Sequence, residues 1–140
     1  MSSTLSHLPN GLPVLTVPMP GVDSACVHVL TRVGSRLETK AEQGLSHFLE
    51  HMVFKGTDRR PTARELTQIL DGVGAEFNAY TTKEYPGYYA TGAADHLPLA
   101  LDVLSDMLWH SRFEPAEVER EKGVIVEEIN MYEDNPLMHI

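Results

Sequence analysis

The order of the secondary-structure signals along the chain limits the possible folds more than any other feature of the sequence. Three strand-like segments come first. Two of them flank Asn10-Gly11 in a hairpin pattern, and the third is an alternating, β-branched segment from Ala25 to Val33. Two helical patterns, two strands and two further helices follow, without the strict alternation that builds a parallel sheet. We therefore predict an α+β fold, with a mostly antiparallel sheet packed by about four helices, as a single domain over residues 1–140.

Capping residues and apolar spacing predict where the helices begin. The predicted helix starts are Thr39, Thr62, Asp95 and Pro115. The last helix is expected to run past Met131 and to stop at Asn135-Pro136. The residues of the third helix that we expect in the core are Leu97, Leu101, Leu104, Leu108 and Trp109.

Charge and cysteine content exclude several classes of function. The chain has 11 basic and 20 acidic side chains, a net charge of −9, which argues against nucleic acid or an anionic membrane as a partner. Cys26 is the only cysteine, so histidine and carboxylate must hold any metal ion. No apolar stretch reaches the roughly 18 residues that a membrane span needs, and the first ten residues carry no targeting pattern. Cytoplasmic residence is the resulting expectation.

The segment from His47 to His51 carries the chemistry. On a helix, residues four apart share a face, so both imidazoles can reach one ion, and neutral imidazole is a preferred zinc ligand. Glu50 would then be placed to take a proton from a water at that ion. This H-x-x-E-H arrangement is the inverzincin signature. The alternative for five residues taken alone is a pair of packed histidines beside a surface glutamate.

A second set of candidates lies on the fourth predicted helix. A helical wheel places Glu128 within about 80° of Glu121, inside the apolar stripe, whereas Glu127 projects about 120° away. Inward carboxylates need a cation, a proton or a metal, and no lysine or arginine lies close on that arc of the helix. A zinc ion held by His47 and His51 would supply the positive charge, with one carboxylate as the third ligand and the other orienting a neighbour. The alternative is that this end of the helix is simply exposed.

Three ordered blocks of the sequence resemble the pitrilysin family of zinc metallopeptidases, which includes insulin-degrading enzyme and the mitochondrial processing peptidase. The blocks are Gly34 to Thr57, Phe77 to Thr81 and Glu119 to Glu128. They are most similar to the shorter-subunit, processing-peptidase-like branch of the family. The resemblance covers nearly the whole chain, and it implies the N-terminal part of a processing-peptidase-like fold.

The resemblance also implies a role for individual residues. It assigns zinc to His47, His51 and a downstream glutamate, here Glu128, with Glu127 as the competitor by spacing. Family alignment places a supporting glutamate of the catalytic site at Glu121. Glu50 would be the general base that activates a zinc-bound water for attack on the peptide carbonyl. Asn78 and Ala79 fall where family members align the substrate backbone along a sheet edge.

Family subunits of this branch are much longer than this chain. The resemblance therefore implies a missing C-terminal half or a partner subunit, and an oligomeric assembly. We expect a zinc-dependent endopeptidase domain acting on unstructured peptides, which binds zinc but cleaves weakly or not at all as the isolated 140 residues. One alternative is a non-proteolytic, zinc-binding module that holds peptides or partner subunits. Another is an ordinary α+β domain whose histidines bind nothing.

Overall fold

The strands form two antiparallel sheets in the computed structural model, which describes residues 2–133. The first is a hairpin of β1 (Thr4–His7) and β2 (Pro13–Thr16). The second contains β3 (Ser24–Leu30), β4 (Glu76–Thr81) and β5 (Pro86–Ala93), in the order β3-β5-β4. The four helices are α1 (Leu45–Met52), α2 (Ala63–Asp71), α3 (Leu97–Trp109) and α4 (Pro115–Glu133). The predicted α+β fold is confirmed; none of the described helices is long and apolar enough to span a bilayer.

The main core lies between the three-stranded sheet and the helices. Its fully buried members come from α2, β5 and α3 and include Leu66, Leu70, Tyr88, Ala90, Val103, Leu104 and Met107. Burial of each large apolar side chain contributes about 1.5–3 kcal/mol to folding. Because β3 alternates, Val27 packs against this core while Cys26 and His28 lie exposed on the opposite face of the sheet.

The buried face of α3 differs from the predicted one. Leu101 and Trp109 are 50% and 61% exposed, and Leu97 is exposed too. Two predicted residues do face the core: Leu104 is fully buried and Leu108 packs against it. The buried stripe also contains Ala100, Val103 and Met107, which with Leu104 keep the i, i+3, i+4, i+7 spacing in a rotated direction. The predicted Asp95 cap is also wrong, since a 3₁₀ turn over Ala94–His96 leads into the helix. The predicted stop at Asn135-Pro136 lies outside the described residues.

Helix α1 begins later than its capping pattern predicts. Thr39 does donate its backbone N–H to the Glu42 carboxylate at 3.1 Å, but the segment that follows forms turns, and Gly44 has φ 90°, outside the helical region. The side chain of Glu38 caps the helix instead, accepting the backbone N–H groups of Gly44 and Ser46 at 2.8 and 2.7 Å. Burial raises the pKa of Glu38, but the hydrogen bonds from Ser46 and Gly44 outweigh it and leave the pKa below its usual value.

A buried polar network joins the loop after α1 to helix α3. The Asp106 carboxylate, whose side chain is 0% exposed, accepts the Thr57 hydroxyl at 2.7 Å and an Arg60 guanidinium N–H at 2.5 Å. Arg60 also donates to Asp102 at 2.5 Å, and Arg59 donates to Asp102 from the solvent side. We call these five residues the Asp106 network. It fixes the chain where it leaves α1.

Stability is expected to fall in acid because of Asp102. Hydrogen bonds from Arg59 and Arg60 lower the pKa of Asp102 from 3.8 to about 2. A carboxylate with a lowered folded pKa stabilises the protein above its unfolded pKa, and this contribution disappears as the pH falls from about 4 to about 2. Since the side chain is 40% exposed, solvent screening reduces the loss to about 1 kcal/mol. Urea unfolding at a series of pH values measures the free energy of unfolding as a function of pH. Asp102→Asn should make this free energy depend less on pH between about 4 and about 2. Parallel pH dependences for the wild type and the variant would contradict the assignment.

Candidate metal centre

Helices α1 and α4 bring three possible metal ligands to one point. The Nε2 atoms of His47 and His51 lie 3.1 Å apart, and Oε2 of Glu128 lies 3.4 Å from the first and 3.9 Å from the second. All three side chains are partly exposed, between 21% and 36%. Glu127 is exposed and lies outside this cluster. The structure thus brings together the two histidines and the glutamate that the helical wheel favours.

The donor set and its spacing fit a zinc ion. In a tetrahedral zinc site with bonds of about 2.0–2.1 Å, ligand atoms are roughly 3.3 Å apart, close to the 3.1, 3.4 and 3.9 Å seen here. Two imidazoles and a carboxylate are also a ligand set of catalytic zinc sites, which keep the fourth position open. The cluster of His47, His51 and Glu128 is therefore the candidate metal centre.

Glu121 orients one of these histidines. Its side chain is only 3% exposed, and its Oε1 lies 2.7 Å from Nδ1 of His51. Because a carboxylate only accepts hydrogen bonds, this contact assigns the proton of neutral His51 to Nδ1 and leaves the lone pair of Nε2 directed at the candidate metal centre. The structure thus places Glu121 behind the cluster, as a partner of His51.

Lys55 supplies the positive charge that Glu121 needs. Its Nζ lies 2.5 Å from Oε2 of Glu121. Burial raises the pKa of Glu121, but Lys55 and His51 lower it by more, so the pKa lies below its usual value. The expected need for a positive charge beside the inward Glu121 is thus met, but Lys55 meets it at Glu121 in place of the expected zinc ion. This cation comes from the turn after α1, so a helical wheel of α4 could not reveal it. The spacing of Lys55, four residues after His51, is the one sequence signal that could have indicated it.

Glu50 faces the sheet from the same helix. Its Oε2 accepts a hydrogen bond from the hydroxyl of Thr81, the last residue of β4. Tyr88 of the neighbouring strand lies close to this carboxylate: its burial and the charge of Glu50 both raise the pKa of Tyr88. Thr81 was not predicted as a partner of Glu50, because the sequence around Thr81 does not indicate which side chain its hydroxyl will contact.

Asn78 and Ala79 lie on β4, at the edge of the three-stranded sheet in the described part of the chain. Within the described residues, no hydrogen bond joins either of them to the candidate metal centre. They lie on the same strand as Thr81, which touches Glu50. The backbone N–H of Ala79 donates to Oδ1 of Asn78 at 2.8 Å, so this N–H points away from the neighbouring strand β5.

Comparisons with known proteins identify the family of the chain. The profile of the insulinase family, peptidase family M16, matches residues 14–140. An "uncharacterized zinc protease" of Rickettsia felis is 46% identical over 94% of this chain and 32% of its own length. The "uncharacterized zinc protease YmxG" of Bacillus subtilis is 47% identical over 91% of this chain and 31% of its own length. The chain thus spans about a third of the length of these relatives.

Solved structures give the same result. A protease from Helicobacter pylori superimposes with a TM-score of 0.93 and 27% identity, over 99% of this chain and 33% of that protein. Pitrilysin superimposes with a TM-score of 0.80 and 32% identity, over 93% of this chain and 14% of that protein. The chain belongs to the insulinase family of peptidases, family M16.

Proposed function

We propose that this chain is the metal-binding catalytic part of a zinc-dependent endopeptidase that hydrolyses unstructured peptides. The observation that carries the proposal is the convergence of His47, His51 and Glu128 on one point, with Glu50 next to His51 on α1 and held by Thr81. The names of the relatives, which are called zinc proteases, support it.

Each residue of the site has a distinct task in this proposal. His47, His51 and Glu128 would hold the ion, and Glu121 would keep His51 in the tautomer that binds metal. A bound zinc ion supplies Lewis acidity, which lowers the pKa of water and polarises a carbonyl. Glu50 would accept the proton that the attacking water loses and would deliver it to the departing amine.

The edge strand β4 favours an extended substrate. Backbone groups of a strand alternate in direction, so the outward N–H of Ala79 implies outward groups at Phe77 and Thr81 as well. An extended peptide could pair with these groups, as in β-strand addition, once the Asn78 side chain leaves the Ala79 N–H. Unstructured peptides can adopt this extended form freely, whereas most backbone groups of a folded protein are already paired.

We further propose that the working enzyme includes the remainder of a longer subunit or a partner subunit, in an oligomeric assembly. The chain spans about a third of its relatives, and the candidate metal centre is open, with 36% of the His47 side chain exposed. Efficient peptide hydrolysis needs an enclosed site that excludes bulk water, retains the reacting water and orients the substrate. Residence in the cytoplasm stays a prediction of the sequence alone.

Zinc binding should depend on Glu128 and not on its neighbour. We expect the wild-type chain to bind one zinc ion, and Glu128→Gln to weaken the affinity by about 100-fold or more, because an amide is a poorer ligand and a ligand matters more than the residues that orient it. Competition titration against a chelating indicator, with elemental analysis, measures this. Glu127→Gln is the matched control, since it removes the same charge from an exposed position.

Two outcomes would contradict the proposed ligand set. Equal loss of affinity in the Glu128→Gln and Glu127→Gln variants would show an effect of charge alone. A wild-type chain that remains free of metal after exposure to zinc would favour an ordinary α+β domain.

A further inference from the structure

We propose that Thr81 is a positioning residue for the general base: its hydroxyl fixes the carboxylate of Glu50 relative to the strand that pairs with the peptide. This inference rests on the proposed function, because it concerns the same site and the same reaction. It adds a residue to which neither the sequence motif nor the comparisons give a role.

The contact joins two elements that are far apart in the chain. Glu50 lies on α1 and Thr81 lies 31 residues later on β4, and the Thr81 hydroxyl donates to Oε2 of Glu50. A hydrogen bond to an ionised carboxylate is among the strong ones in proteins. Both side chains are half-buried, so water competes with this bond less than it would at the surface.

Thr81 is a stiff anchor for a flexible side chain. A glutamate carboxylate has three rotatable bonds, and fixing it in one place costs conformational entropy. Threonine is β-branched and restricted at χ1, and here it belongs to a strand paired along its whole length with β5. The hydrogen bond therefore transfers the rigidity of the sheet to the base.

One carboxylate oxygen remains for chemistry. Within residues 2–131, the only hydrogen bond to the Glu50 side chain is the one from Thr81 to Oε2. Oε1 can then accept the proton released when a water O–H bond breaks, and can return it to the amine nitrogen as the peptide C–N bond breaks. Thr81 keeps its own proton throughout and acts only through Glu50.

Strand alternation connects this anchor to the substrate. Ala79 and Thr81 are two residues apart, so both present backbone groups to the open edge of β4 and both direct their side chains to the α1 face. The two positions are about 7 Å apart along the strand. The register of a peptide bound on β4 thus determines which of its carbonyl groups lies near Glu50.

Thr81→Val in the full-length, zinc-loaded protein tests this role, since valine keeps the branched shape and removes only the hydroxyl. We expect kcat for an unstructured peptide to fall about tenfold, part of the 10²–10⁴-fold that a general base contributes. KM should stay within about twofold and zinc content should stay at the wild-type level, because the Thr81 hydroxyl contacts Glu50 and the substitution leaves the backbone groups of the strand unchanged. Thr81→Ser should restore most of the activity.

Thr91→Val is the matched control. Thr91 lies on β5, on the face of the sheet opposite Tyr88 and Glu50, so the same change should leave kcat unchanged. Equal losses in the Thr81→Val and Thr91→Val variants, or a loss of zinc in Thr81→Val, would overturn the positioning role.

A double-mutant cycle distinguishes positioning from general destabilisation. If Thr81 acts through Glu50, Thr81→Val should have no further effect on residual turnover in the Glu50→Gln background, and the two Glu50→Gln proteins should bind the uncleaved peptide equally well. A tenfold loss in both backgrounds would overturn the inference and leave the proposed function intact. Undiminished turnover in Glu50→Gln alone would overturn the proposed function, and the positioning role with it.

Discussion

Glu50→Gln should lower kcat of the full-length, zinc-loaded protein by about 1,000-fold and leave one zinc ion per chain. Glutamine has nearly the same shape as glutamate and can still accept the Thr81 hydroxyl, but it cannot take a proton from water. General-base catalysis contributes 10²–10⁴-fold, which sets the size of the loss. The metal should remain, because the three clustered ligand atoms belong to His47, His51 and Glu128.

Turnover of an unstructured fluorogenic peptide, measured beside elemental analysis of the same samples, checks both halves of this prediction. Glu127→Gln is the control, because it removes one charge from an exposed position of α4. If Glu50→Gln changes neither function nor partner affinity while zinc stays bound, the protein is instead a non-proteolytic zinc-binding module. Loss of zinc together with turnover would place Glu50 among the ligands.

Local patterns predicted those parts of the fold that local interactions determine. The Thr62–Glu65 capping box forms as expected and begins α2, because both of its hydrogen bonds lie within four residues. At Thr39 only one bond of this pattern forms, from the Thr39 backbone N–H to the Glu42 carboxylate, while the Glu42 N–H donates to the Thr39 carbonyl oxygen. No helix begins there, since Glu38 and Gly44 together move the start to Leu45. A capping motif thus predicts a turn reliably, whereas the helix start also depends on what precedes and follows it.

In the candidate site, too, the sequence predicted the contacts that depend on local spacing and missed those between distant elements. His47 and His51 share one helical turn, so their spacing alone predicts that they meet, and the wheel of α4 predicts that Glu128 faces inward. Lys55 and Thr81 were missed because their partners lie on other elements, 66 and 31 residues away in the chain. Such contacts depend on how helices and strands pack, and helical or strand periodicity carries no information about them.

Asp106→Ala should lower the free energy of unfolding by about 3–5 kcal/mol. Asp106 is fully buried, and its loss would leave the Arg60 guanidinium, 9% exposed, with only the half-exposed Asp102, and the Thr57 hydroxyl without its acceptor. An unpaired buried charge is among the most destabilising changes a single substitution can make. Urea unfolding of the 140-residue chain measures the loss; Asp106→Asn, which keeps the shape, serves if the alanine variant does not fold.

Asp102→Ala is the matched control for this change. It removes a carboxylate from the same arginine, but at a position 40% exposed, where solvent screening limits the cost to about 1 kcal/mol. Equal losses for the two variants would contradict a special role of burial.

Because the Asp106 network lies outside the candidate metal centre, saturating zinc should stabilise the wild type and Asp106→Ala by equal amounts, about 2.7 kcal/mol at 100 times the dissociation constant. A smaller gain in the variant would show that the network also holds α1 in its metal-binding position.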